Sequence, residues 1–214
     1  MSGIGTSLRG ISALASVLAV VAAGTASAAD EGRGALLFGN CTQCHGPQGS
    51  GSQLSLAPAI AGLGEWYVLS QLTSFRSGAR GANPQDLPGL RMRPMSRSLH
   101  SDDDVKLVAA YVASLAPAAP APVVEGGDAQ KGAATYNALC AQCHGADGAG
   151  DQTKMAPRLR NTNDWYLVSA LERYKAGIRG SNPPFGPVMQ GMARALPDDQ
   201  AIKDVVAYIA TLGK

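Results

Sequence analysis

The sequence predicts an all-α protein built from two tandem copies of one helical unit. Unlike motifs recur at one offset: Trp66 and Trp165 are 99 residues apart, and so are Arg80 and Arg179. A constant offset across motifs of different chemistry indicates a duplication. Residues 116–126 interleave alanine with proline, which forbids a continuous helix and favours an extended, semi-rigid linker. We therefore expect the units at residues 30–115 and 127–214.

Apolar residues at helical spacing mark the helices within each unit. The segment Trp66 to Ser77 has such a stripe, and its counterpart runs from Asp164 to Ala176. The last helices are predicted to begin at Asp102–Asp104 and at Asp198–Asp199, because carboxylates stabilise a helix N-terminus. A shorter helix is predicted from Gly32 to Asn40. No segment alternates as a half-buried strand would.

Residues 1–29 have the three parts of a secretory signal peptide. Arg9 supplies the positive region, residues 11–24 are apolar, and Ala26-Ser27-Ala28 fits the small-residue cleavage rule, as does the tripeptide one residue later. An uncleaved anchor is the alternative, but a 14-residue apolar run is short for a span that needs about 20. We expect export to the periplasm and a mature chain that starts near Asp30, without a transmembrane segment.

The charge balance and the cysteine count limit the classes of function. A formal net charge of +2 argues against nucleic acid as the main partner, because phosphate-binding faces need a strong basic excess. Four cysteines in an exported protein would ordinarily suggest two disulfides. Their spacing here indicates a different chemistry.

Each unit contains a Cys-x-x-Cys-His motif, one starting at Cys41 and the other at Cys140. Two thiols one helical turn apart can bond the vinyl groups of haem, and the histidine that follows can reach the iron. A redox-active cysteine pair needs no such histidine, and a zinc site drawn from both motifs would leave both histidines unused. The sequence therefore predicts two covalently attached haem c groups. The predicted attachment residues are Cys41, Cys44, Cys140 and Cys143, and the predicted axial histidines are His45 and His144.

Methionines are available for the other axial position of each iron. Met92 and Met95 lie in a predicted loop before the last helix of the first unit, and Met189 and Met192 repeat this arrangement in the second. A methionine thioether is a frequent sixth ligand in electron carriers. A single methionine is more often core filler, but the repeated pair favours one ligand per unit.

These motifs make the chain resemble the class I c-type cytochromes, in particular the two-domain, di-haem cytochrome c4-like proteins. The resemblance rests on Cys-x-Gln-Cys-His-Gly, a later proline, the methionine segment and the final helix of both units, and it covers nearly all of the chain after residue 29. In that family the axial methionine lies seven residues before a leucine. Leu99 and Leu196 match this leucine, so the resemblance selects Met92 and Met189. Met95 and Met192 remain the second choices.

The resemblance also implies roles for residues around each haem. Pro58 and Pro157 would accept a hydrogen bond from the haem histidine and so orient its ring. The aromatic pairs at 66–67 and 165–166 would pack at the haem edge, with simple core packing as the alternative. Arg80 and Arg179 would pair with haem propionates or lie in solvent. The crossing of the first and last helices would bring Phe38 near Tyr111 and Tyr136 near Tyr208.

An arginine cluster and one histidine are not part of the family pattern. Arg91, Arg93 and Arg97 cluster near the first methionine segment, either as a docking patch for an acidic partner or as a solvated face. His100 has no counterpart in the second unit, so we expect a surface residue and not an iron ligand.

Two irons with both axial positions filled favour electron transfer over catalysis. The sequence shows no paired carboxylates, activated nucleophile or phosphate loop that would suggest an enzyme. We therefore expect a periplasmic electron carrier between redox protein partners, such as a dehydrogenase and a membrane-bound oxidase. The first alternative is the cytochrome subunit of a dehydrogenase complex that oxidises sulfide or alcohol. A di-haem peroxidase is the second, and it would need one open iron.

Overall fold

The computed structural model describes residue 1 and residues 28–181 and 184–213. Most of the predicted leader, residues 2–27, lies outside the described residues, as does Asn182-Pro183, which repeats Asn83-Pro84 of the first unit at the same offset of 99. Within the described ranges the regular structure is helical, and the β features are two isolated bridges, Ser52 with Ala57 and Asp151 with Ala156. The prediction of an all-α fold is confirmed.

The same order of helices occurs in both units. The first unit contains α1 (Ala28–Phe38), α2 (Thr42–His45), α3 (Glu65–Ser77), α4 (Leu87–Arg97) and α5 (Asp102–Ser114), with a short 3-10 turn at Gly39–Cys41. The second contains α6 (Ala129–Leu139), α7 (Ala141–His144), α8 (Asp164–Lys175), α9 (Phe185–Arg194) and α10 (Asp199–Ile209), with a 3-10 turn at Gln152–Lys154. The first helix was predicted from Gly32 to Asn40. In the structure α1 begins four residues earlier, at Ala28, and ends two residues earlier, at Phe38.

The methionine segments are helices, and the prediction that they are loops is wrong. In α4, the Asp86 side chain accepts a hydrogen bond from the Gly89 amide at 3.2 Å, and a proline occupies the first turn, where its missing N–H costs nothing. Pro94 lies inside the helix. The helix persists because Gly89 and Ser96 are buried on one side, so tertiary packing outweighs the local effect of proline.

The first and last helices of each unit cross, and aromatic rings pack at the crossing. The Phe38 and Tyr111 rings have centroids 5.3 Å apart, and Tyr136 and Tyr208 repeat this contact at 5.3 Å. Both contacts confirm the sequence prediction. The helices approach closely because Gly34 and Gly132 face the opposite helix, where a Cβ atom on Gly34 would lie 2.7 Å from the Leu107 carbonyl oxygen.

Apolar residues of the crossing helices and of α3 or α8 form one core per unit. Burial of such side chains is the main source of stability in a domain of this size. The first core contains Phe38, Val68, Leu72, Leu99, Val105, Val108, Ala109 and Val112. The second contains Tyr136, Leu167, Leu196, Ile202, Val205, Val206 and Ile209.

Acidic residues begin the last helix of each unit, as the sequence predicted. Ser101 and Asp104 form a reciprocal capping box at the start of α5, and Arg33 of α1 pairs with Asp104 at 2.5 Å. Asp198 caps α10 by accepting a hydrogen bond from the Ala201 amide at 2.8 Å. The Arg33 hydrogen bond, chiefly, holds the pKa of the Asp104 carboxyl below its usual value, against the opposing effect of burial. This ion pair also ties the first helix to the last.

The chain between α5 and α6 has no regular secondary structure and is hydrogen-bonded to the second unit. The Asp164 carboxylate at the start of α8 accepts hydrogen bonds from the Val123 and Val124 amides, both at 2.7 Å. Gln200 of α10 donates to the Gly126 carbonyl at 2.6 Å. These contacts fix the linker against the second unit. None of the helices in the described ranges combines the length and the apolar character needed to cross a membrane.

Candidate haem sites

Both predicted iron-binding histidines end a one-turn helix and are followed by glycine. Gly46 and Gly145 have φ angles of 78° and 81°, in the region that favours glycine, and they reverse the chain. The amides of Gly51 and Gly150 then return to donate to the carbonyl oxygens of His45 and His144, each at 2.8 Å. The glycine-rich loop that follows each motif therefore wraps around the histidine.

A proline carbonyl lies behind each histidine ring, as the family resemblance implied. Nδ1 of His45 is 2.8 Å from the Pro58 carbonyl oxygen, and Nδ1 of His144 is 2.8 Å from that of Pro157. Because the carbonyl can only accept, Nδ1 carries the proton, and the Nε2 lone pair remains free to bind a metal. Burial lowers the pKa of both histidines despite this hydrogen bond, so the imidazoles are neutral at neutral pH.

Gly51 and Gly150 allow the proline segment to approach so closely. A Cβ atom on Gly51 would lie 2.5 Å from the Ala59 amide nitrogen, and one on Gly150 would lie 2.6 Å from the Arg158 amide nitrogen. Any side chain at these positions would push the proline away from the histidine ring. Gly51 and Gly150 are therefore needed for the proline carbonyls to orient the histidine rings.

The four motif cysteines form no disulfide with one another; Cys41 and Cys140 are partly buried, and Cys44 and Cys143 are exposed. Burial, with a smaller effect of the neighbouring cysteine, raises the pKa of Cys41 and of Cys140 to about 11. Zinc binding and thiol redox chemistry use the thiolate, which this environment disfavours. The described residues also contain no group of three or more His, Cys, Asp or Glu placed to hold a metal ion. These observations support neither a zinc site nor a redox-active cysteine pair at the motif.

The two methionines of each pair differ in exposure in the same sense. Met92 is partly buried and packs against the core of the first unit, while Met95 is 39% exposed. In α9, Met189 is partly buried and Met192 is 40% exposed. The less exposed member of each pair is the one that lies seven residues before a buried leucine.

Arginine and tyrosine side chains from both units meet between the units. Tyr166 accepts hydrogen bonds from Arg80 at 3.3 Å and from Arg179 at 3.1 Å, and Arg179 also donates to Tyr67 at 3.4 Å. The two units thus present equivalent surfaces to each other, because Arg80 and Tyr67 are the counterparts of Arg179 and Tyr166. Arg179 is 8% exposed, so a solvated surface role for this residue is wrong.

The phenol of Tyr166 lies between two cations, the buried Arg179 and the partly buried Arg80. Burial by itself raises the pKa of a tyrosine, but the charges of Arg179 and Arg80 outweigh it and lower the pKa of Tyr166 to about 7. Burial raises the pKa of Tyr67 to about 12, helped by its neighbour Tyr166. Within the described ranges, the side-chain hydrogen-bond partners of Arg80 and Arg179 are the two phenols and the Gln71 amide oxygen, and none of them is a carboxylate.

Other contacts between the units involve residues that the sequence did not single out. Arg158 donates to the carbonyls of Ala61 and Gly62 at 3.1 Å and 3.0 Å, and Asn163 accepts from the Ala59 amide at 2.6 Å. Arg173 of α8 lies 3.5 Å from the buried carboxylate of Asp86. The repeated proline before Ala59 and Arg158 was the only signal that this segment matters. A cavity of about 150 Å³ lies beside these contacts, lined by residues of both units including Trp66, Tyr67 and Pro157.

Buried polar atoms without a partner provide a test of whether haem suits these sites. Nε of Arg80, Arg93 and Arg158 and Oγ1 of Thr162 are buried and have no hydrogen-bond partner among the described residues. Leaving such a donor unpaired costs about 1–3 kcal/mol, so a partner is expected. Haem carries two carboxylates, which are good acceptors for guanidinium groups. The unpaired Nε atoms of Arg80 and Arg158 belong to side chains that lie where the two units meet, so the residues present there fit the carboxylates of a bound haem.

Comparison with known proteins agrees with the geometry. The family model described as "Cytochrome c" matches twice, at residues 31–116 and 129–213. A cytochrome c4 of Thiocapsa roseopersicina is 34% identical over 187 residues, which is 82% of this chain and 88% of that protein. A thiosulfate dehydrogenase electron acceptor of Stutzerimonas stutzeri strain A1501 is 31% identical, covering 81% of this chain and 79% of that protein. The crystal structure of reduced cytochrome c4 from Pseudomonas stutzeri superposes with a TM-score of 0.67 at 26% identity, covering 85% of this chain and 98% of that one.

The double family match, together with the cytochrome c4 relatives, defines a di-haem electron-transfer protein with one covalently attached haem c per unit. The chain belongs to the cytochrome c family, and its two units are both cytochrome c domains. The prediction of two tandem class I domains is confirmed, and so is the prediction of two haems.

Proposed function

We propose that each domain holds its haem through the residues that the motif marks, with one histidine and one methionine on the iron. In the first domain, Cys41 and Cys44 would carry the thioether bonds, and His45 and Met92 would bind the iron. In the second, Cys140 and Cys143 would carry the bonds, and His144 and Met189 would bind the iron. Haem supplies a one-electron Fe(III)/Fe(II) couple. The observation that carries this proposal is the histidine ring, whose Nδ1 is engaged by a proline carbonyl while Nε2 stays free.

The choice within each methionine pair rests on burial and on helical geometry. Met92 shares its side of α4 with the buried Gly89 and Ser96, which are three residues before it and four residues after it. That side faces the domain interior, so a thioether there could reach the iron of a bound haem. Met95 is 39% exposed and would have to turn inward to bind. A buried thioether keeps water from the iron and favours a high reduction potential.

Substitution of the methionines tests the assignment. The oxidised holoprotein should show the far-red charge-transfer band of a methionine–iron bond. Met92→Ala and Met189→Ala should each remove about half of this band, because each domain supplies one methionine ligand. Met95→Ala and Met192→Ala are the matched controls and should leave it intact. Loss of the band in a control variant, with the band retained in its partner, would reverse the assignment for that domain.

The chain would be exported by residues 1–29 and would act in the periplasm, with domains at 30–115 and 127–214 and a linker at 116–126. Its role would be to carry electrons between redox proteins. Electrons would pass between the haems across the interdomain surface, where Arg80, Arg179, Tyr67 and Tyr166 form a continuous hydrogen-bonded cluster. This cluster links the domains, and its arginines would supply cationic partners for the haem propionates.

A dedicated dehydrogenase partner is the second candidate for the role. One relative is named as the electron acceptor of a thiosulfate dehydrogenase, and that likeness covers 81% of this chain. A permanent complex would make the protein an enzyme subunit, whereas a free carrier would exchange between partners. Isolation of the native protein from its own cells distinguishes them: a dehydrogenase that stays bound through size-exclusion chromatography supports the subunit, and a free di-haem protein supports the carrier.

A further inference from the structure

The helix that carries Met92 has a second face, turned away from the domain interior. Leu87, Leu90, Arg91, Pro94 and Arg97 lie at helical spacing on α4, and we call them the outer face. All five are exposed, with Leu87 at 52%. The buried residues of α4, Gly89 and Ser96, lie on the opposite side, next to Met92. The outer face therefore remains exposed when a haem fills the interior.

The positive charges on and beside the outer face are not neutralised within the described part of the protein. Arg91 donates to the Ser55 carbonyl at 3.4 Å, Arg97 donates to the Arg76 carbonyl at 3.2 Å, and the Nε of Arg93 has no partner. None of the three belongs to an ion pair among these residues. Two acidic groups lie close by in the chain or through these contacts, and both have other partners: Asp102 pairs with Arg76 at 2.8 Å, and the buried Asp86 lies 3.5 Å from Arg173. The face is thus a locally uncompensated cation cluster.

Apolar side chains lie among these charges. Leu90, Arg93, Pro94, Arg97 and Ser98 line a shallow depression of about 440 Å³. The loop that Arg91 contacts adds the exposed side chains of Leu54 and Leu56, which are 99% and 37% exposed. An apolar centre with a charged rim is the usual anatomy of a transient protein interface.

The second domain has the same helix without the same charge. The counterparts of the outer face on and beside α9 are Pro184, Pro187, Val188, Gly191 and Arg194, which are also exposed. Arg91 is replaced by valine and Arg93 by glutamine, so one positive charge stands where the first domain has three. The two domains therefore have equivalent helix surfaces, and the surface of the first domain is the more positively charged.

We propose that the outer face of α4 is the docking site of an acidic redox protein, which exchanges electrons with the first domain. The proposal rests on the proposed function, because it needs a haem behind Met92. A partner on this face would be separated from the iron ligand by the width of one helix, about 10 Å. Carboxylates on the partner would pair with the arginines and speed encounter, while the leucines would exclude water. The second domain, with its nearly uncharged equivalent, would serve a different partner.

Plant plastocyanin, an acidic copper protein, is a suitable probe. In stopped-flow experiments one electron would pass from the Fe(II) holoprotein to Cu(II), giving Fe(III) and Cu(I). Arg91→Glu and Arg97→Glu should each lower the second-order rate constant about tenfold at low ionic strength and flatten its dependence on salt. Arg194→Glu is the matched control at the position equivalent to Arg97, and its rate should stay within about twofold of wild type.

An equal loss of rate in Arg194→Glu, or unchanged rates in both first-domain variants, would overturn the proposal. The proposal would also be overturned if the wild-type protein bound phosphatidylglycerol vesicles, this binding required Arg91 and Arg97, and the plastocyanin rates did not depend on these arginines. The face would then recognise a lipid surface. A redox titration of each variant separates the two levels of inference. Two haems that reduce and reoxidise reversibly leave the proposed function standing even if docking fails, whereas a holoprotein that cannot cycle would refute the function itself.

Discussion

Gly34 and Gly132 lie where the first and last helices of the two domains cross, and alanine at either position should destabilise its domain. A Cβ atom on Gly34 would lie 2.7 Å from the Leu107 carbonyl oxygen and 3.1 Å from Cβ of Tyr111. A Cβ atom on Gly132 would overlap the carbonyl oxygen of Asp204. Both obstacles include helix backbone, which cannot turn aside as a flexible side chain can. The helices must therefore separate and loosen the aromatic contacts of the crossing.

The expected size follows from two opposing effects. Overpacking by one methyl group costs about 1–3 kcal/mol, while replacing a helical glycine with alanine gains about 1 kcal/mol. Gly32, in the same helix as Gly34, has no atom within 4 Å of its Cβ position, so Gly32→Ala shows the gain alone. Gly34→Ala should unfold with a free energy about 1–3 kcal/mol below that of Gly32→Ala. For a domain of this size, that corresponds to roughly 5–20 °C in the thermal midpoint.

Thermal unfolding of the holoprotein, followed by far-ultraviolet circular dichroism, measures this difference. Gly132→Ala should lose more than Gly34→Ala, because its obstruction is the more severe. If Gly34→Ala and Gly132→Ala melt at or above the midpoint of Gly32→Ala, the close helix crossing described above is incorrect.

Two further predictions concern an ion pair and the interdomain cluster. Because the Arg33 hydrogen bond lowers the folded pKa of Asp104, its stabilisation is present above the ordinary carboxyl pKa and is lost as the pH falls through the folded value. The melting temperatures of wild type and Asp104→Asn should therefore differ at neutral pH and converge in acid. The control Asp103→Asn changes an exposed residue paired with Lys106, so its melting temperature should differ little from wild type at either pH. A difference between Asp104→Asn and wild type that stays constant as the pH falls would argue against the ion pair. Tyr166→Phe removes the shared acceptor of Arg80 and Arg179 and should lower stability by about 1–3 kcal/mol in denaturant unfolding. Tyr67→Phe removes one 3.4 Å contact and should cost less, so the reverse order would contradict the arrangement of this cluster.

Local signals in the sequence were sufficient for most of the fold. The constant offset between motifs predicted the duplication, and acidic residues at 102–104 and 198–199 predicted where the last helices begin. The methionine segments were expected to be loops, and local sequence does not favour a helix there, because proline and glycine, present as Pro94 and Gly191, have the lowest helix propensities. In the structure Pro94 is tolerated inside α4, since the buried side of that helix is formed by Gly89 and Ser96.

The site was predictable where its chemistry depends on neighbours in sequence. The cysteine motif and the following glycines have fixed spacing, and the family pattern supplied the proline behind each histidine. The interdomain cluster was only half predictable. Repetition drew attention to Arg80 and Arg179, but repetition cannot tell a buried arginine from a solvated one. The interdomain contacts of Arg158 and Asn163 could not be predicted from local sequence, because their partners lie about 100 positions away in the chain.

Haem content per chain tests the central claim most directly. Pyridine haemochrome analysis, with intact mass spectrometry, should find two haems in the wild-type holoprotein and one in each of the variants Cys41→Ser/Cys44→Ser and Cys140→Ser/Cys143→Ser. The haem that remains in each variant should still be reducible, because each domain encloses its own site. A wild-type protein with fewer than two haems, or a double-serine variant that retains both covalently, would contradict the account.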